Sequence, residues 1–173
     1  MKNLLYILLV LALSGFQFKK TIQIKSGKQV GKLILNSSNV QSAITQYGDI
    51  ADFTQGISCG EHTYFTNRFS FSKQRITVIS ETVDNENEKN SLIVKIGLSY
   101  PCGAETEEGI SLIRDNIDKI LTVYGKPEAT DTSKASIDIH YNSKGISFRC
   151  DRNRKNIQKI EIYSPNLIAD FCY

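Results

Sequence analysis

The chain has 173 residues, 40% of them hydrophobic and 23% charged, with a net charge of +3, four Cys and no Trp. This composition fits one globular domain, or two small ones sharing a core, and excludes disordered, fibrous and collagen-like classes. The charge is too small for the dense basic patches of nucleic-acid binding.

In chain order, the first feature is Lys2 followed by Leu4 to Leu13, an unbroken apolar run of ten residues. Ala12-Leu13-Ser14 then offers small residues at the −3 and −1 positions of a cleavage site. Ten residues cannot span roughly 30 Å of hydrocarbon as a helix. Residues 1–17 therefore read as a signal peptide and not as a stable membrane anchor. The expected location is the periplasm or the exterior. In such an oxidising compartment Cys59, Cys102, Cys150 and Cys172 read as two disulfides, with three pairings open and the local one, Cys59–Cys102 with Cys150–Cys172, favoured.

An internal repeat organises the remainder. Val40 to Gly48 (VQSAITQYG) matches Ile117 to Gly125 (IDKILTVYG) at an offset of 77 residues, 40 to 117, and the same offset carries Phe69-Ser70-Phe71 onto Ile146-Ser147-Phe148. Arg75 to Ser80 finds a looser partner in Lys159 to Ser164. The spacing predicts one unit over 18–90 and a second over 91–173, with Leu92 to Tyr100 as the connecting strand. In each, a helix comes first. Asn36 to Asn39 supplies N-cap candidates, and Gly48 is placed to stop the first helix in the left-handed conformation. Ile110, Ile113, Ile117, Ile120, Leu121 and Tyr124 form a longer stripe at helical spacing, ended by Gly125 and Pro127. Glu105, Glu107 and Glu108 would suit the N-terminal dipole of that second helix.

Strands follow each helix. Phe65, Phe69 and Phe71 alternate with Tyr64, Thr66, Arg68 and Ser70; Ile76 and Val78 come next, then Leu92, Val94 and Ile96. Ile137, Ile139 and Tyr141 alternate with Asp138 and His140, and Ile146 and Phe148 with Ser147 and Arg149. The expected fold class is α+β: two tandem units of helix followed by antiparallel β-meander, with the helices packed on one face of the sheet.

A unit of about 77 residues built as helix, Tyr-Gly, then a meander containing Phe/Ile-Ser-Phe resembles the fold of β-lactamase inhibitory protein, a family of two tandem units with a disulfide in each. A single unit is similar to the BamE (SmpA/OmlA) envelope lipoproteins, whose helix often ends in a pattern like Tyr124-Gly125-Lys126-Pro127. The resemblance covers residues 30 to 165 and implies a binding or envelope role. BamE proteins carry a lipid on an N-terminal Cys that this chain lacks, and inhibitory contact loops are not recognisable.

Three chemical motifs have structural readings beside them. Gly56-Ile57-Ser58-Cys59-Gly60 spells the G-x-S-x-G nucleophile elbow, with Asp138 and His140 in the order that a triad would need. No βαβ series surrounds it, and a Gly-rich loop presenting a disulfide Cys accounts for it. Cys59, His62, Cys102 and Glu105 could be drawn as a metal site, but export favours oxidation of these thiols. Arg152, Arg154 and Lys155 read as a solvated turn. Neither a metal nor an organic cofactor is expected.

The outward face of the strands is the remaining candidate. Tyr64, Arg68, His140, Arg149, Lys159 and Tyr163 alternate away from the apolar positions, and Tyr and Arg are enriched in interface hot spots. The sequence thus points to a secreted, non-enzymatic protein-binding or inhibitor-like module of the bacterial envelope or the extracellular space. The alternatives are a structural accessory of envelope assembly and, last, a small serine hydrolase. No nucleic-acid partner is expected.

Overall fold

A period of two in the apolar residues dominates this chain, and the computed structural model turns nearly all of it into strands; it describes residues 21–58, 64–82 and 87–165. Strands β1 (Ile22–Lys25), β2 (Gln29–Val30) and β3 (Leu33–Ile34) precede helix α1 (Val40–Tyr47). Then come β4 (Asp52–Ser58), β5 (Tyr64–Phe71), β6 (Ile76–Thr82) and β7 (Ile93–Ser99). Strand β8 (Ala104–Thr106) leads to helix α2 (Ile117–Tyr124), and β9 (Ala129–Thr132), β10 (Ser136–Tyr141), β11 (Ile146–Asp151) and β12 (Ile157–Tyr163) follow.

Eight strands form one sheet in the order β4-β5-β6-β7-β12-β11-β10-β9, with every neighbouring pair antiparallel. A second sheet, β3-β2-β1-β8, is mixed, since β1 and β8 run parallel. The core lies between the two sheets and the helices. Its floor consists of apolar rungs that cross the large sheet. One runs Phe53, Phe69, Val78, Ile96, Ile162, Ile146, Tyr141, and the next runs Phe71, Ile76, Leu98, Ile160, Phe148, Ile139. Ile24, Val30 and Leu33 of the small sheet, and Val40, Ala43, Tyr47, Ile120 and Tyr124 of the helices, close over it in one cluster. Burial of a large apolar side chain contributes roughly 1.5–3 kcal/mol, so these rungs supply the main driving force.

The helices are short because both ends are fixed by capping. Asn39 accepts from the Ser42 N–H at 2.9 Å and Asn116 from the Lys119 N–H at 3.1 Å. Gly48 and Gly125 end them with N–H bonds to the carbonyls of Ile44 and Leu121. Their φ values are +88° and +80° with ψ near −150°, so neither is left-handed α; the geometry is one that glycine alone adopts easily. The aromatics in the last turns are core anchors. The Tyr47 and Phe71 ring centroids lie 5.9 Å apart, and the Tyr124 ring lies 5.1 Å from Tyr141 and 5.3 Å from Phe148.

The expected α+β class is corrected: the protein is mostly β, and its two helices among the described residues have eight residues each. The strands do not divide into two tandem units of helix and meander, because β7, read as a connector, pairs with both β6 and β12 in the middle of a continuous sheet. The tripeptides that matched at an offset of 77 are not equivalent, since Phe69-Ser70-Phe71 lies on the second strand after α1 and Ile146-Ser147-Phe148 on the third after α2. The helical stripe from Ile110 also fails. Gly109 stands at φ +86°, Thr106 Oγ1 accepts from the Ile110 N–H at 3.1 Å, and Asp115 accepts from the Ser111 N–H at 2.7 Å. These turns hold Ile110 and Leu112 in the core outside any helix, while Ile113 and Leu121 are exposed. Around β7 the expected core position Ile96 holds, but Ile93 joins it in place of Leu92 and Val94, because the register shifts between Ile79 and Ser80.

The two sheets are pinned together where glycines touch. The Gly27 N–H donates to the Gly145 carbonyl at 3.2 Å, as does the Tyr163 N–H at 3.0 Å. A Cβ on Gly145, which stands at φ +63°, would press on the Tyr163 carbonyl oxygen well inside van der Waals contact. At Gly48 a Cβ would meet nothing within 4 Å. Gly145→Ala is therefore expected to destabilise by about 3 kcal/mol or more in urea unfolding, and Gly48→Ala by about 1 kcal/mol, the strain term alone.

Candidate functional site

Strand register assigns five of the six predicted face residues, Arg68, His140, Arg149, Lys159 and Tyr163, to the side of the large sheet opposite the core, while the side chain of Tyr64 lies outside the described part of the structure. Three rows cross it. Thr54, Arg68, Ile79, Lys95 and Tyr163 make one, and Ser70, Thr77, Gly97, Glu161, Ser147 and His140 the second. Ser99, Lys159, Arg149, Asp138 and Asp131 make the third. The tops of these rows carry ionic and aromatic groups in place of the Ile and Phe of the other face.

Two residues that the sequence reading passed over sit at the centre. Lys95 Nζ lies 2.9 Å from Glu161 Oε2, and Lys159 Nζ lies 2.5 Å from Glu161 Oε1. The Lys95 side chain is only 8% exposed, so its charge could not be held there without a counter-ion. Gly97 makes room for the triad: a Cβ at that position would stand 3.0 Å from Lys159 Cε and 3.8 Å from Glu161 Oε1. Burial alone would raise the Glu161 pKa, but the two ammonium groups outweigh it and hold the carboxyl at about 2. The Lys95 ammonium also stands 5.8 Å from the centre of the Tyr163 ring, whose hydroxyl donates to Asn142 Oδ1 at 2.8 Å. A lysine inside an otherwise apolar strand, with Gly two residues on, was the available signal for this cluster.

Two further basic side chains of the face stand beside carboxylates. Arg149 grips Asp138 with both arms, Nε to Oδ1 at 2.7 Å and Nη2 to Oδ2 at 3.2 Å. His140 Nε2 lies 3.3 Å from Asp131 Oδ2. Arg68 is exposed. The face is thus a charged surface on which Lys95, Lys159 and Arg149 each meet a carboxylate of the same face.

The other predicted features fare differently. Glu105 pairs with Arg114 at 2.8 Å, and Glu108 accepts from the Tyr124 hydroxyl at 2.6 Å, so these acids brace β8 and its loop and do not cap α2, whose first turn carries Asp118. Burial and the Glu108 hydrogen bond both push the Tyr124 pKa up. Arg152 donates to the Ser133 carbonyl at 3.0 Å, and Asp151 accepts from the Asn153 and Arg154 N–H groups, which makes the basic turn a structural one. Ser58 lies on an edge strand, with five strands between it and the Asp138 and His140 of β10. At about 4.8 Å per strand spacing, roughly 29 Å separates them, so this Ser, Asp and His form no triad. Cys59 and His62 of the drawn metal site lie outside the described residues, and among the described residues no group of three metal-ligating side chains occurs. Cys102 and Cys150 are buried, and each expected disulfide joins one of them to a cysteine outside the described residues. The signal peptide lies outside them as well, and no described helix is long and apolar enough to cross a membrane.

No protein family, no curated protein and no solved structure matches the chain, so nothing identifies a fold like that of β-lactamase inhibitory protein or BamE.

Glu161→Gln leaves the buried Lys95 facing a neutral partner and is expected to cost about 3 kcal/mol of stability at neutral pH. Because the folded pKa of Glu161 is depressed from 4.5 to about 2, its contribution is complete above pH 4.5 and is lost as the pH falls toward 2. Denaturant titrations across that window are expected to show this loss in the wild type and its absence in the variant.

Proposed function

We propose that the chain is an exported, non-enzymatic protein-binding module of the bacterial envelope or the extracellular space, and that it binds through the outward face of its eight-stranded sheet. The observation that carries this reading is the pre-organisation of that face. Lys95, Glu161 and Lys159 lock one another over Gly97, and Arg149 and Asp138 form a two-point pair, so these side chains keep one arrangement. Ordering long side chains is a principal cost of association, and it is already met here before a partner arrives. Tyr163, anchored through its hydroxyl, and exposed Arg68 add residue types that dominate interface energetics. Export follows from Lys2, the apolar run Leu4 to Leu13 and the small residues after it.

The test is a pull-down from the compartment to which the chain is exported, using the intact protein and a Tyr64→Ala/Arg68→Ala/Arg149→Ala variant whose circular dichroism matches the wild type. A specific partner is expected to be retained by the wild type and lost, at least tenfold, by the variant. Equal recovery by the two proteins would exclude the face.

A further inference from the structure

The large sheet ends in two very different edges. Strand β9 has four residues, with Asp131 in the middle and Pro127 and Lys134 flanking it. Short length, charge and proline are the means by which proteins blunt an edge. Strand β4 has neither the shortness nor the proline, and little of the charge. It runs for seven residues, DFTQGIS, in unbroken register with β5, and its only charge is Asp52 at the first position. Among the described residues no strand pairs with its other side. Residues 52–56 are all exposed, including Phe53 at 41%, which stacks on Phe69 with ring centroids 5.0 Å apart.

We propose that β4 pairs antiparallel with β4 of a second copy of this chain, joining two large sheets across a two-fold axis at Gln55. The register follows from the sequence of the strand. A two-fold axis perpendicular to the sheet keeps core face on core face only if paired residue numbers sum to an even number, which places the axis on a residue. Full overlap of Asp52–Ser58 selects Gln55. That register sets Phe53 opposite residue 57 of the second copy, apolar against apolar, and so carries the Phe53–Phe69–Val78 rung across the junction. It sets Asp52 opposite Ser58, which separates the two carboxylates by six residues along the strand, roughly 20 Å. Gln55 meets its own counterpart; its Nε2 already donates to Asn67 Oδ1 at 3.0 Å, and its carbonyl oxygen is left to accept from the counterpart. An extended segment of a different protein would have no reason to match this self-complementary order, which favours the second copy as occupant.

The two-fold position makes the test specific. Gln55→Lys puts like charges opposite one another, as does Gln55→Glu, whereas a mixture of the two variants puts opposite charges there. Sedimentation of the full exported chain is measured for wild type, each variant and the mixture at about 100 µM, where even a small interface associates. The wild type is expected to form a concentration-dependent dimer. Each variant alone is expected to weaken it about tenfold or more, and the mixture to restore it as a heterodimer. A wild type that stays monomeric overturns the proposal. So does a dimer that neither variant weakens, or variants that dissociate and are not rescued by mixing. The outward face of the sheet is untouched by these substitutions, so failure here leaves the partner-binding reading to its own experiment.

Discussion

The contact on which the rest of the structure depends is the antiparallel pairing of β7 with β12, Ile96 against Ile162 and Leu98 against Ile160. It joins four strands on one side to four on the other, with no tight turn to enforce the meeting. Both helices hang from the same two strands. Asn39, the cap of α1, bridges to Leu92 just before β7, and Asn116, the cap of α2, bridges to Asn156 just before β12. The Val40 N–H donates to the Ser91 carbonyl, and the Ile117 N–H to the Lys155 carbonyl. Each asparagine thus ends a bridge with its backbone and starts a helix with its side chain. Losing the β7–β12 register would displace the helices from the core and the charged rows from one another together.

The same pair of strands must be apolar below and ionic above. Every residue from Ile93 to Leu98 is buried, which an antiparallel sheet with one solvated face does not require. Of its outward positions, Lys95 turns its ammonium to Glu161 and Gly97 lies under the end of the Lys159 side chain, which covers it from water. Gly97 is what permits that, and Glu161 is what makes it affordable electrostatically. A hydrophobic residue at position 97 would push on the Lys159 side chain and crowd the Glu161 carboxylate, undoing the order of the face without touching the core. Stability and the proposed recognition surface are therefore coupled at one glycine.

How far the sequence could be read follows from how local each signal is. The N-cap of α1 and the last-turn Tyr-Gly of both helices were legible, because these signals act within one or two turns; Asn116, the cap of α2, was hidden by the apolar stripe that starts at Ile110. The faces of β5, β10, β11 and β12 were legible for the same reason, since alternation is local. Strand β4 was not, because its polar, Gly-containing sequence is set by an edge position that only the tertiary fold defines. Strands β1, β2, β3 and β8 were too short to show a period. Ile110 and Ile113 imitated a helical stripe, because turns stabilised by Thr106 and Asp115 happen to space apolar residues by three. Of the outward face, alternation marked Lys159 but not its partners Lys95 and Glu161, since nothing local to Lys95 signals a carboxylate that lies on a strand far along the chain.

The inward face carries its own polar exception, and it explains how one alignment of β5, β6 and β7 is selected. At the end of β5 and β6 remote from the aromatic cluster, Asn67 donates to Thr82 Oγ1 at 2.9 Å and Ser91 donates to Ser80 Oγ at 2.6 Å, all four residues being buried. Apolar rungs alone are tolerant, since a slip of two residues would again set Phe or Ile against Val or Ile. A slip that separates Asn67 from Thr82, or Ser80 from Ser91, strands buried donors and acceptors at roughly 1–3 kcal/mol each. The apolar rungs drive the strands together, and these two small hydrogen-bonded pairs determine which of the possible alignments survives. They sit on β5, on β6 and at the approach to β7, so the alignment they fix is passed directly to the central β7–β12 pair.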